Sequence, residues 1–154
     1  MRISAGLLMY RMKNGKPEVF LVHPGGPYYK NKDEGCWDIP KGEVDEGENF
    51  LEAAKREFEE ETSLKVFDIM VGKNFIELSP VQKPTKIVHA WAFEGDCDPT
   101  RIKSNLCKVE WPPKSGKMID IPEVDRAEFF DLETAKIKLY PYLSPLVLDF
   151  SQRL

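Results

Sequence analysis

Four glutamates, Glu57, Glu59, Glu60 and Glu61, crowd into the stretch "REFEEETSL". On a helix, Glu57 and Glu61 stand at i,i+4 and Glu57 and Glu60 at i,i+3, so their side chains share a face. Like charges at those spacings repel by roughly 0.2–0.5 kcal/mol per exposed pair. Such a cluster calls for a cation. Hard divalent cations, Mg²⁺ above all, take oxygen ligands, keep some of their waters and bridge naturally to phosphates. Arg56, just upstream, can orient a carboxylate or contact a phosphate through its planar fork. The competing reading is a charged, solvated helix face, which is common.

The surrounding residues predict how that cluster is held. Leu51, Ala54 and Phe58 follow i,i+3,i+7 and suit a core-facing stripe, with the glutamates on a neighbouring arc. Asn49 can cap the helix, with Glu52 three residues on in a capping-box-like arrangement, so the pattern predicts a helix over about 50–62. Upstream, "PKGEVDEGE" places Gly42 and Gly47 in a loop where backbone can approach closely or turn sharply. Asn14-Gly15 between "ISAGLLMYRM" and "PEVFLVH" predicts a hairpin. "PGGPYYKNKDEGC" reads as a long loop and "WDIP" as a short strand ending at Pro40. "KVFDIMVGKNFIEL" and "TKIVHAWAFEG" read as longer strands, the second with Val88, Ala90 and Ala92 on one face and Ile87, His89, Trp91 and Phe93 on the other. "SNLCKVEWPPKSGKMID" reads as a strand followed by a Pro/Gly loop from Pro112 to Gly116. "DLETAKIKL" and "YPYLSPLVLDF" read as helices, with Pro141 and Pro145 limiting the last one or breaking its first turn.

Composition narrows the function classes. A chain of 154 residues suits one domain, 1–154, with a sizeable core. No apolar run reaches the ~18–20 residues of a membrane span, and "MRISAGLLMY" turns polar too soon for a signal peptide. Cys36, Cys97 and Cys107 are odd in number and lack CxxC spacing, which points to a reducing cytoplasm. With only His23 and His89 present, a Cys/His zinc site is disfavoured. The net charge of −4 and the lack of a Lys/Arg block argue against a nucleic-acid duplex as partner.

The full arrangement resembles the Nudix box of the Nudix hydrolases, G-x5-E-x7-R-E-U-x-E-E-x-G-U, with U a bulky aliphatic residue. Gly42, Glu48, Arg56, Glu57, Glu60 and Glu61 match in register, and Phe58 and Leu64 stand at the U positions. Phe58 is aromatic, and Ser63 replaces the helix-ending glycine, which questions the cap geometry more than the chemistry. The resemblance implies the Nudix fold, an α/β/α sandwich around a mixed β-sheet. It also implies Mg²⁺ or Mn²⁺ held by Glu57, Glu60 and Glu61, with the backbone carbonyl of Lys41 as a further ligand. Glu57 is sometimes the general base in the family. Arg56 and Glu48 support the array, Glu48 in a mainly structural role, as does Gly42. Many relatives add a late carboxylate. Here Glu123 is the first choice, because "E…FFDLETA" looks like the matching segment of diadenosine tetraphosphate hydrolases; Asp120 and Asp125 compete, and a plain surface acid remains open.

"WDIPKGEVDEGE" also resembles the W-x-x-P-K-G opening of the diadenosine polyphosphate branch, with Trp37 packing in the core. The Lys41 side chain then either aims at phosphates or lies in solvent. Tyr28 and Tyr29 can stack on a base, with Lys30 and Lys32 near a polyphosphate, or pack within their own loop. The late segment "EWPPKSGKMIDIPEVDRAEFFDLETA" resembles small, mainly bacterial Nudix proteins predicted to be nucleotide pyrophosphohydrolases. The expected activity is metal-dependent hydrolysis of a nucleoside polyphosphate, with diadenosine tetraphosphate favoured. The alternatives are a (d)NTP pyrophosphatase and a non-catalytic nucleotide-binding module.

Overall fold

Asn14 and Gly15 take left-handed backbone (φ 53° and 76°) and fold β1 (Arg2–Lys13) back onto β2 (Lys16–Pro24), as the Asn-Gly pair predicts. The computed structural model describes residues 1–154. After the long loop come β3 (Lys41–Glu43) and α1 (Phe50–Thr62). Then follow α2 (Val66–Ile69), β4 (Ile76–Glu77), β5 (Val81–Lys83) and β6 (Lys86–Glu94). The chain finishes with β7 (Leu106–Glu110), β8 (Met118–Pro122), β9 (Val124–Asp131), α3 (Leu132–Lys138) and α4 (Ser144–Arg153). No helix is long and apolar enough to cross a membrane.

A seven-stranded mixed sheet runs β4-β6-β1-β2-β9, with β3 added to β1 and β5 to β6. β1 and β6 pair in parallel and the remaining partners are antiparallel. Both faces of the sheet are covered. Leu8, Tyr10, Val19, Leu21, Val88 and Ala90 pack on one side against Leu139, Leu146, Val147 and Phe150. Leu7, Met9, Phe20 and Phe93 pack on the other against Ala53, Ala54 and Phe58 of α1. A strand buried on both faces reads as a continuous apolar run, which is what "AGLLMY" is. The layers are those of an α/β/α sandwich, and Val88, Ala90 and Ala92 share a face as their alternation predicts.

Four local expectations are corrected. "KVFDIMVGKNFIEL" is not a long strand: it gives the single turn α2 and the two-residue β4. The cause is Glu59, whose carboxylate accepts the Val66 N–H at 3.0 Å and caps a helical turn inside a β-prone stretch. "WDIP" makes only isolated bridges, Asp38 with Val22 and Trp37 with Leu139, because Pro40 has no N–H to extend a ladder. The loop read across "PKGEVDEGE" begins instead as a strand, with Gly42 inside β3 and paired to β1, and past the loop at Pro112–Gly116 two further strands follow. β8 pairs back on β7 as a separate two-stranded sheet, and β9 joins β2 in the main one.

Candidate active site

The site is built where β3 meets α1. β3 pairs with β1 through Ala5 and Gly42, while α1 buries Ala53, Ala54 and Phe58 on the same side of the sheet. This places Gly42 directly beneath Glu57: a Cβ on Gly42 would lie 2.1 Å from the Glu57 carboxyl carbon. Gly42 is therefore a close-approach glycine, whereas Gly47 (φ 77°) serves the turn. Asn49 caps α1 by accepting the Glu52 N–H at 3.1 Å. At the other end Ser63 sits in the left-handed region (φ 62°, ψ 17°), and its N–H bonds the Glu59 carbonyl. The helix ends where the glycine of the Nudix box ends it, at a backbone cost to serine, and the Ser63 hydroxyl donates to the Lys103 carbonyl.

Arg56 organises the acidic face. Its Nε and Nη2 donate to the two Glu48 oxygens at 2.9 and 3.0 Å, and Nη2 also donates to the Glu43 carbonyl at 3.1 Å. Its Nη1 donates to Glu57 at 2.8 Å and Glu60 at 3.3 Å. The Arg56 fork and the Asp45 N–H hold Glu48 down to about 2. Glu57 moves the other way: burial raises it, only partly opposed by Arg56. Thus one guanidinium fixes three carboxylates.

Glu61 is the unusual member. It is 7% exposed, and no hydrogen bond or ion pair of the structure reaches its carboxylate. Burial lifts its pKa well above the ordinary value, and Asp38 adds to that while Lys41 opposes it. It lines a cleft of about 390 Å³ together with Asp38, Lys41, Gly42, Lys86 and Glu123. Lys41, its side chain 11% exposed, donates to Asp38 at 2.9 Å, and although desolvation alone would lower its pKa, Asp38 raises it. The solvent reading of the Lys41 side chain therefore does not hold. Lys86 has no ion-pair partner; burial and the nearby Lys41 lower its pKa.

The late acids separate cleanly. Glu123 lines the cleft, its backbone pinned by Gly25 N–H to its carbonyl and by its own N–H to Asn105, each at 3.0 Å. Asp120 pairs with Lys108 on the β7–β8 hairpin, and Asp125 binds Nδ1 of the buried His23 at 2.8 Å. Glu59, inside the acidic run, is drawn off to cap α2. Tyr29 lines the cleft and accepts from Tyr140 Oη at 3.1 Å; Tyr28 is exposed beside it, with Lys32 Nζ 3.8 Å above its ring. Lys30 is exposed and lines no part of the cleft. Arg2, Asp38 and Lys86 line it without having been singled out in the sequence. Nothing in their local pattern marks them, because β1 and β6 carry Arg2 and Lys86 there side by side as register partners.

The family model for the NUDIX domain matches residues 1–150. The chain belongs to the NUDIX domain family. Among the relatives of this NUDIX domain is a mouse (Mus musculus) bis(5'-nucleosyl)-tetraphosphatase (asymmetrical), 43% identical over 100 residues that cover 59% of this chain and 63% of the mouse one. The chain spans less than two thirds of the length of the curated relatives it matches. Among solved structures, a C. elegans Ap4A hydrolase binary complex superposes with a TM-score of 0.68 at 24% identity, over 99% of this chain and 97% of that one. The NUDIX domain of Shewanella oneidensis NrtR complexed with ADP ribose gives 0.64 at 14% identity, over 99% and 88%. At these identities the structural likeness concerns the fold.

The donor set of this NUDIX domain fits a hard divalent cation. Its cleft offers carboxylate and carbonyl oxygens, with no thiolate or imidazole among the box residues, and a Glu61 carboxylate that opens on the cleft and meets no protein donor. Arg56 Nη1 occupies one oxygen each of Glu57 and Glu60, and no three acidic, cysteine or histidine side chains converge on one point.

Proposed function

We propose that this NUDIX domain, residues 1–154, is a divalent-metal-dependent pyrophosphohydrolase of a nucleoside polyphosphate, with diadenosine tetraphosphate as the favoured substrate. The observation that carries the reading is the meeting of both signs of charge in one cleft. The buried Glu61 lacks a donor and Lys86 lacks an anion, which suits a cation and a phosphate respectively. The similarity to the mouse tetraphosphatase supports the choice of substrate.

Mg²⁺ or Mn²⁺, held by Glu57, Glu60, Glu61 and the Lys41 carbonyl, would neutralise polyphosphate charge and lower the pKa of a bound water. The chain's own groups do the rest. Lys86 and Arg2 hold phosphate oxygens at the mouth of the cleft, and Lys41 keeps Asp38 neutralised behind them. Arg56 keeps Glu57 and Glu60 in place while Glu48 keeps Arg56 in place. Glu123, a cleft carboxylate with no ion pair of its own, takes the proton of the attacking water. Tyr28 and Tyr29 border the path of the nucleoside.

A panel of diadenosine tetraphosphate, ATP, dATP and other nucleotides, with and without Mg²⁺, tests the reading by product chromatography. Diadenosine tetraphosphate should be cleaved best and only with metal, and Glu60→Gln should lower that activity by orders of magnitude with the fold intact. Cleavage of (d)NTPs to NMP and pyrophosphate alone would move the assignment to the pyrophosphatase alternative. Binding without turnover would mean a non-catalytic module, and an active, metal-independent Glu60→Gln protein would remove the glutamates from the chemistry.

A further inference from the structure

A second cleft opens beside the first and differs from it in chemistry. Its volume is about 220 Å³, below the ~300–1,000 Å³ of sites that enclose a whole drug-sized ligand, and so suited to one part of a larger molecule. The two clefts share Tyr29, Val109 and Ile121, so they are continuous. The first carries Arg2, Asp38, Lys41, Glu61, Lys86 and Glu123 on a partly apolar wall, whereas the second is walled by Gly25, Pro27, Tyr28, Trp111 and Pro113 around the shared residues, with Glu110 its one charged member. A nucleotide has the same division, a charged polyphosphate joined to an apolar, flat base.

The walls are fixed in place. A Cβ on Gly25 would lie 2.0 Å from the Pro122 carbonyl oxygen and one on Gly26 2.6 Å from Ile121 Cδ1, so the loop after β2 is seated tightly on β8. On the hairpin, Glu110 accepts the Lys114 and Gly116 N–H groups at 2.8 and 3.2 Å, and the Trp111 N–H bonds the Lys117 carbonyl at 2.9 Å. These bonds hold the tip shut around Trp111. The aromatic faces are not equally free. Lys32 covers a face of Tyr28, and Tyr29 meets that ring edge-on at 4.8 Å, with its own hydroxyl bonded to Tyr140. No ring or cation packs on the Trp111 indole, which is half-buried in the cleft wall.

We infer that this second cleft is a nucleobase subsite and that Trp111, carried by the β7–β8 hairpin, is its stacking platform. An aromatic face accepts any base, because every base offers a π-face, so the subsite selects nucleotides over other pyrophosphates more than one base over another. Tyr28 and the Gly25–Pro27 backbone bound the base, and the shared wall at Tyr29 and Val109 leads its ribose towards the phosphates. The inference rests on the phosphate-cleaving reading of the first cleft.

The test needs neither metal nor turnover. In EDTA, the wild-type chain is titrated with adenosine and followed by NMR, and Kd values are compared with those of Trp111→Ala and Trp111→Phe. Cross-relaxation from the adenosine base protons to the Trp111 indole is expected in the wild type. Trp111→Ala should weaken adenosine binding by about 5- to 150-fold, the span that base–aromatic stacking implies, while Trp111→Phe keeps most of it. Absence of adenosine binding, contacts that avoid the indole, or an equal Kd for a folded Trp111→Ala would each overturn the inference. Should Trp111→Ala not fold, the wild-type contacts and the Phe variant decide alone. Adenosine bound on Trp111 by a chain that hydrolyses no nucleotide would uphold the subsite while removing the hydrolase reading; turnover without such binding would do the reverse.

Discussion

Gly42→Ala separates the site from the fold. The added methyl would lie 2.1 Å from the Glu57 carboxyl carbon and 2.1 and 2.4 Å from its oxygens. Ordinary carbon contacts begin near about 3.5 Å, so the carboxylate must retreat by well over 1 Å. It is the far end of a flexible side chain, so the backbone of β3 and α1 has no need to move. The stability cost is therefore small: loss of the 2.8 Å Arg56–Glu57 bond on a partly exposed arginine is offset by the gain of about 0.4–1 kcal/mol from a stiffer unfolded chain. The chemical cost is large, since misplacing a reacting group by about 1 Å can cost about 100-fold. Expected, then, are a kcat/KM for diadenosine tetraphosphate about 100-fold lower and an urea midpoint close to wild type. Gly42→Ser should behave similarly. Near-wild-type turnover would show that the position of Glu57 is not critical, and activity lost only in step with unfolding would show that Gly42 serves the fold instead.

Two further predictions concern the frame around the site. Glu48, held at about 2 by Arg56 against an ordinary 4.5, contributes stability that is fully present above about pH 4.5 and is lost as the pH falls through about 2. The melting-temperature gap between wild type and Glu48→Gln should therefore be open at neutral pH and closed near pH 2; a gap that ignores pH would detach Glu48 from Arg56. Ser63→Gly relieves a left-handed serine worth about 1–2 kcal/mol but loses the hydroxyl bond to Lys103, worth about 0.5–1.5 kcal/mol. It should melt close to wild type, while Ser63→Ala, which loses the bond and keeps the strain, should melt lower by about 2–4 °C per kcal/mol lost. A Ser63→Gly protein less stable than Ser63→Ala would refute the account of this cap.

The sequence by itself determined whatever is decided within a few residues. Asn14-Gly15 set the hairpin, Asn49 the start of α1, and the helical spacing put Glu57 and Glu60 within reach of Arg56. The box positions were legible because a helix converts spacing directly into geometry. Only the tertiary structure divided the acids among tasks. Glu59 was drawn away by the Val66 N–H, and Glu61 was buried without a donor. Asp120 and Asp125 were taken by Lys108 and His23, leaving Glu123 in the cleft. β9 was missed although Val124, Ala127 and Phe129 carry its apolar contacts, because its partner β2 lies about a hundred residues earlier in the chain. Arg2 and Lys86 meet for the same reason, through the parallel pairing of β1 with β6, and Trp111 gains a role only when its hairpin is set against the loop after β2. Each of these contacts joins segments far apart in sequence. They are fixed by how apolar faces pack around one sheet, and no local pattern records which distant polar side chain that packing will deliver to the cleft.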